Sequence, residues 1–187
     1  INHIKKTITW QYIDADGTYI ANNMGVYSAI CKYNEKRQIT EYYENDASNH
    51  IIVQEDSTAF KMFEYDELNR LKAIRCLSKN KKFISGYAFD YNKEGTQVIR
   101  QFALSEWGYG KFDNFDVAGI EFVLNKGENL PPLQLFVNEN KQYVACSDGY
   151  NARRKWEDDR ERVIKELYYD VNGQPMVNNE NVYGKKI

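Results

Sequence analysis

The chain has 187 residues, 42% of them apolar, 14% aromatic and 28% charged, with a formal net charge of −2. That size and apolar content suit one domain or one block of a repeat array and exclude a disordered tail. The near-neutral charge argues against a nucleic-acid module held mainly by phosphate contacts, and no stretch approaches the ~20 apolar residues of a membrane span. The chain also holds 15 Tyr, 19 Asn and only 3 Pro. Tyr fits a half-buried pleated surface and Asn fits turns, so the composition leans toward many short strands joined by tight turns. In chain order, residues 1–10 come first, and they lack the basic start, apolar run and small-residue cleavage site of a signal peptide.

Two interleaved phrases organise the rest of the chain. The first is an aromatic, an Asx/Gly cluster and an apolar strand: Tyr12-Ile13-Asp14-Ala15-Asp16-Gly17-Thr18-Tyr19-Ile20. The second is an aromatic, a polar cluster and an apolar residue: Tyr33-Asn34-Glu35-Lys36-Arg37-Gln38-Ile39. The first returns from Tyr43 to Ile51, from Cys76 to Ile84, weakly near Phe102, from Phe136 to Val144 and from Tyr168 to Met176. The second returns from Tyr65 to Leu71, from Tyr91 to Val98, in degenerate form from Phe122 to Gly127, and from Trp156 to Val163. The first-phrase anchors are spaced 31, 33, 26, 34 and 32, the second-phrase anchors 32, 26, 31 and 34. Two independent series with one drifting period identify a repeated unit of about 31 residues.

A third element, Gly-aromatic, precedes the second phrase: Gly25-Val26-Tyr27, Gly86-Tyr87, Gly149-Tyr150 and, near the chain end, Asn181-Val182-Tyr183. Asp, Asn and Gly tolerate the left-handed backbone that tight hairpin turns need, and Tyr, Val and Ile pair well across strands. Two hairpin turns per unit and an antiparallel meander are expected. Residues 152–169 also carry a helical pattern, with Trp156, Val163, Ile164 and Leu167 at i, i+7, i+8 and i+11, and residues 64–77 have apolar steps of three. In register with their sister units both read as strand–turn–strand. Residues 106–132, with Gly108, Gly110, Gly119, Gly127, Pro131 and Pro132, are the irregular part. The chain opens and closes in mid-repeat without a polar cap, so it is read as a segment of a longer parent chain.

Tyr65-Asp66-Glu67-Leu68-Asn69-Arg70-Leu71 resembles the Tyr-Asp (YD) repeats of RHS-type proteins, with Asn69 where their Gly belongs. Tyr169-Asp170-Val171-Asn172-Gly173-Gln174-Pro175 resembles degenerate β-hairpin repeats of bacterial surface proteins. The resemblance implies secreted, envelope-attached or toxin-delivery proteins in which the repeat is scaffold, and it supplies no catalytic residues.

Other chemistry is thinly represented. Cys31, Cys76 and Cys146 lie 45 and 70 residues apart, which is neither a disulfide framework nor a zinc pattern. Asp14-Ala15-Asp16-Gly17 and Asp170-Val171-Asn172-Gly173 begin like a calcium loop, but the position of the bidentate Glu holds Gly25 and Asn181. His50 is assigned a turn position held elsewhere by Tyr19, Phe83 and Tyr143 and so reads as structural. The binding candidates are aromatic: Trp10, Tyr27, Tyr87, Trp107, Tyr150 and Trp156, for sugar stacking or protein contact. The plainer reading of each ring is core, because periodic aromatics bury the seam between units.

The expectation is therefore a mainly β fold over residues 1–187. It is a single tandem-repeat domain, an antiparallel meander of about five and a half ~31-residue β-hairpin units with room for one short helix. The expected function is a non-catalytic scaffold or binding segment of a bacterial secreted or cell-surface protein, without cofactor or metal, contacting protein or glycan. The alternatives are a component of a toxin system, as repeat shell or immunity protein, and a carbohydrate-active enzyme.

Overall fold

The tight turns set the architecture. The computed structural model describes residues 6–112, 115–124 and 130–187. Among them one five-residue turn recurs twelve times, beginning at residues 14, 22, 34, 46, 54, 66, 78, 138, 146, 158, 170 and 178. In each, the N–H of the first residue donates to the carbonyl of the fifth, and the N–H of the fourth donates to the carbonyl of the first. The fourth residue is always left-handed, with φ between +60° at Lys81 and +91° at Gly149. This is the three-residue hairpin loop closed by a bulge residue. In nine of the twelve the first residue is Asx, and its side chain completes the turn. Asp14 Oδ1, for example, accepts from the N–H of Asp16 at 3.1 Å and of Thr18 at 3.0 Å, and Asp170 Oδ1 does the same for Asn172 and Gln174. Those carboxylates are thus occupied by their own turns, which accounts for the calcium-like spelling.

The turns are separated by steps of 8, 12 and 12 residues, so equivalent turns lie 32 apart. A complete repeat has three turns, not the two expected, because what read as a loop before the Gly-aromatic element is itself a turn. The finer register also moves two anchors. Glu44, not Tyr43, is the equivalent of Tyr12 and Cys76, and Glu157, not Trp156, is the equivalent of Tyr33 and Tyr65. His50 consequently takes the place of Thr18 and Lys82, while Tyr19, Ile51, Tyr143 and Pro175 form the equivalent isolated bridges.

Strands fill the intervals, and they form two compact units, residues 1–87 and 88–187. The first unit runs in sequence order through β1 (Lys6–Gln11), β2 (Ser28–Tyr33), β3 (Ile39–Asn45), β4 (Phe60–Tyr65) and β5 (Leu71–Leu77) to β6 (Phe83–Tyr91), which carries the chain into the second. The second contains β7 (Val98–Ser105), β8 (Gly108–Tyr109), β9 (Gly119–Val123), β10 (Leu133–Val137), β11 (Ala152–Glu157), β12 (Val163–Tyr169) and β13 (Gly184–Lys186). Its strand order is β7-β9-β10-β11-β12-β13, with β8 folded back on β7. All recorded pairings are antiparallel, as the meander expectation requires. No helix occurs among the described residues. Residues 152–169 are strand–turn–strand, because their turn at Asp158 and left-handed Glu161 interrupt the helical period. The third repeat departs from the rule at Gly86, where a second turn is due and β6 runs straight through. Residues 1–5, with Ile1, His3 and Ile4, and the turn of the copy beginning at Phe122 lie outside the described residues.

A recurrent ion pair covers the core. Lys81, the left-handed residue of its turn, sets its ammonium 3.1 Å from the Phe60 ring centroid and 2.9 Å from Glu41, which Lys32 also meets at 2.7 Å. Lys141 holds the same turn position in the second unit. It lies 5.6 Å from the Phe102 ring and 2.6 Å from Asp90, which Arg100 also approaches at 3.8 Å. Burial pushes the Glu41 carboxyl up, but the hydrogen bonds and charges of Lys32 and Lys81 outweigh it and hold the group below its ordinary 4.5.

Two measurements check these roles. An alanine at left-handed Gly17, which faces open space, should cost about 1 kcal/mol, the penalty of the conformation alone. Gly149→Ala should cost clearly more, because its Cβ would collide with the Asn179 amide, and denaturant midpoints will rank the two. For Glu41 the folded value is the depressed one, so its stabilisation is present above 4.5 and lost as pH falls through the folded value. The difference in melting temperature between wild type and Glu41→Gln should therefore be largest near neutrality and shrink as the pH is lowered below 4.5.

Candidate ligand-binding surface

Strand alternation assigns each ring to a face. In the first unit Trp10, Ala29 and Glu44 stand opposite one another on one face, beside the row Ile8, Cys31, Tyr42, Lys61 and Cys76. This face is open at its β1 side: Ile8 is 49%, Trp10 62% and Tyr12 43% exposed. Two clefts adjoin it, and the second also draws on Tyr43 and Phe60, whose side chains alternate to the opposite face. One, of about 370 Å³, is lined by Trp10, Tyr12, Ala29, Cys31 and Tyr42. The other, of about 450 Å³, takes Tyr42, Glu44, Gln54, Thr58, Lys61 and Phe63. Polar groups in the second are tied together. The Tyr42 hydroxyl donates to Glu44 Oε1 at 2.5 Å, and Gln54 Nε2 donates to Glu44 Oε2 at 3.0 Å. Burial, and next the Glu44 carboxylate, push the Tyr42 hydroxyl far above the usual phenol range.

In the second unit the equivalent repeat positions are Gln134, Phe136, Arg153, Lys155, Glu166 and Tyr168, and there the face is covered by the chain itself. Phe115 stacks on Phe136 at 5.3 Å, and the Arg153 guanidinium lies 4.2 Å from the Phe115 ring. Arg153 also donates to Gln134 Oε1 at 2.9 Å and to Glu166 Oε1 at 3.0 Å. Tyr150 and Tyr168 stack beside them at 4.1 Å.

The six rings singled out from sequence fall at different positions of the repeat. Trp10 is exposed in β1. Trp107, 90% exposed, tips the β7–β8 turn, and Tyr87 in β6 is 39% exposed. Tyr27 is half-buried, edge-on to Tyr19 at 6.3 Å. Trp156 is half-buried with the Lys165 ammonium 4.6 Å from its ring. Tyr150 leaves the set: it is 2% exposed, because the residue after the left-handed turn position points into the core, as Val26 does at 1%. Sequence reading missed Tyr12, Tyr42 and Phe63. The exact 32-residue period, which carries Trp10 to Tyr42 and Cys31 to Phe63, comes from the turn positions of the structure, and the approximate period of 31 misses these pairs.

Nucleophile and metal chemistry find little assembled here. His50 is exposed in a turn, its Nδ1 3.6 Å from Asp46. Cys31 and Cys146 are buried. Among the described residues no three His, Cys, Asp or Glu side chains stand together as a metal site. No family model and no curated protein matches the chain.

The Arg153–Glu166 pair is the buried charge on which the covered face rests, with side chains 11% and 5% exposed. Glu166→Ala strands the guanidinium and should cost about 3–5 kcal/mol of unfolding free energy, measured by chemical denaturation.

Proposed function

We propose that this chain is a non-catalytic repeat scaffold that binds an extended ligand on the open aromatic face of its first unit. One contrast carries the reading. The repeat face is plugged by Phe115 in the second unit, whereas in the first Trp10 and Tyr12 stand exposed and two clefts adjoin it. Contiguous exposed apolar surface on a folded protein marks an interaction site more often than single exposed rings do. Four strand carboxylates support a structural role, since each of these is held by a cation: Glu41 by Lys32 and Lys81, Glu64 by Arg75, Glu121 by Arg100 and Glu166 by Arg153. The resemblance to YD/RHS-like surface repeats supports a bacterial secreted or cell-envelope setting.

Binding to paired glycan and peptide arrays tests the reading, with wild type compared against Trp10→Ala and Trp107→Ala. Trp10→Ala should abolish most of the array signal while leaving the β-sheet circular dichroism unchanged. Equal binding by both variants and wild type would refute the aromatic surface.

A further inference from the structure

We infer that the cleft beside Glu44 takes an arginine side chain of an extended peptide partner. This deepens the binding-surface reading and rests on it. The chain builds one trio of side chains four times: a strand carboxylate, a cation and an aromatic ring. Glu41 meets Lys81 at 2.9 Å, with the ammonium 3.1 Å from the Phe60 ring centroid. Glu64 meets Arg75 at 2.6 Å, with the guanidinium 5.9 Å from the Phe83 ring. Asp90 meets Lys141 beside Phe102, and Glu166 meets Arg153 beside Phe115.

Glu44 is the exception. Among the described residues every other strand carboxylate has a cation in ion-pair contact, and Glu44 has none. Its carboxylate is nevertheless held in place. The Tyr42 hydroxyl donates to Oε1 at 2.5 Å and Gln54 Nε2 donates to Oε2 at 3.0 Å, which leaves acceptor capacity on both oxygens. Two parallel acceptors suit the planar fork of a guanidinium better than the single point of an ammonium. Tyr42 and Phe63 line the same cleft of about 450 Å³, and aromatic faces are where a guanidinium stacks. The cleft thus holds the carboxylate and the rings of the recurring trio and lacks the cation.

The backbone of the cleft favours a peptide over a free amine. At the equivalent position elsewhere the strand N–H donates to the facing chain: Tyr12 to the Tyr27 carbonyl at 3.4 Å, Phe136 to Asn151 at 2.9 Å and Tyr168 to Tyr183 at 2.9 Å. The counterpart from the Glu44 N–H to the Ala59 carbonyl is not made. The ladder also stops early. The β1–β2 and β10–β11 pairs extend to Gln11↔Ser28 and Leu135↔Ala152, one rung beyond the place where β3–β4 ends, at Tyr42↔Lys61. Glu44 and Ala59 both line the cleft, so a main-chain donor and acceptor stand ready for a peptide group. Lys61 is exposed on the same face and diagonal to Glu44, a backbone separation of about 7–8 Å, so its like charge opposes a bound arginine without neutralising Glu44.

Nuclear magnetic resonance titration with capped tripeptides, carrying a central Arg, Lys, Gln or Glu between alanines, tests the inference. The Arg peptide should bind, shift the amides of Glu44 and Gln54, and exceed the Gln peptide in affinity by at least about tenfold, with the Lys peptide between them. Glu44→Gln should weaken the Arg peptide by about tenfold or more. Lys61→Gln should strengthen it by about two- to threefold, a gain that damage to the fold does not produce. Should Glu44→Gln fail to fold, the exposed Lys61→Gln carries the comparison. No binding by the Arg peptide, equal affinity for the Arg and Gln peptides, or Arg binding unchanged in both variants overturns the inference. If an array ligand still binds in a Trp10-dependent way, the surface reading survives and only the arginine assignment falls.

Discussion

Everything in this fold hangs on a backbone requirement at the fourth residue of a five-residue turn. That residue must enter the left-handed region so that its N–H and the first residue's N–H can both close the loop. For a residue with a Cβ the conformation costs about 1–2 kcal/mol, yet Arg37, Ser57, Lys81, Lys141 and Glu161 adopt it. The cost is offset locally by Asx side chains that accept the turn's orphan N–H groups. It is offset again across the sheet by the strands that each turn aligns. Because the loop length is constant, the register of every hairpin is fixed, and the side-chain alternation comes with it.

The same turn position is reused to build the core. At 81 and 141 it carries a lysine whose ammonium lies over an aromatic ring and reaches a strand carboxylate. A long cationic side chain covers apolar surface well while keeping its charge partly hydrated. Repeat units with small sheets have little interior of their own, and such half-buried pairs close the open side of each.

Equivalent positions are used differently in the two units. In the second, Phe115 comes from the irregular stretch and lies over Arg153 and Phe136, beside the stacked Tyr150 and Tyr168. In the first, the equivalent face holds Trp10, Tyr12, Tyr42 and Glu44 beside two open clefts. The irregular stretch thus covers the face in the second unit, while in the first the face adjoins two open clefts.

The mainly β class, the antiparallel meander, the turn chemistry and the approximate period were legible in the sequence. Asx and Gly residues at turn positions, and alternating Tyr, Ile and Val between them, report local backbone preferences that do not depend on distant partners. Residues 152–169 form strand–turn–strand for that reason, although their apolar spacing also fits a helix. The exact period of 32, the third turn and the displaced anchors at Tyr43 and Trp156 were not legible, since Gln54, Ser57 and Glu161 are poor markers of a turn. Which aromatic rings are exposed was decided only by tertiary structure. Tyr150 and Trp10 are equally aromatic and equally periodic in the sequence. One lies under the Tyr168 ring, because the residue after its turn's left-handed position points into the core, and the other faces solvent from β1, a strand exposed along its whole length.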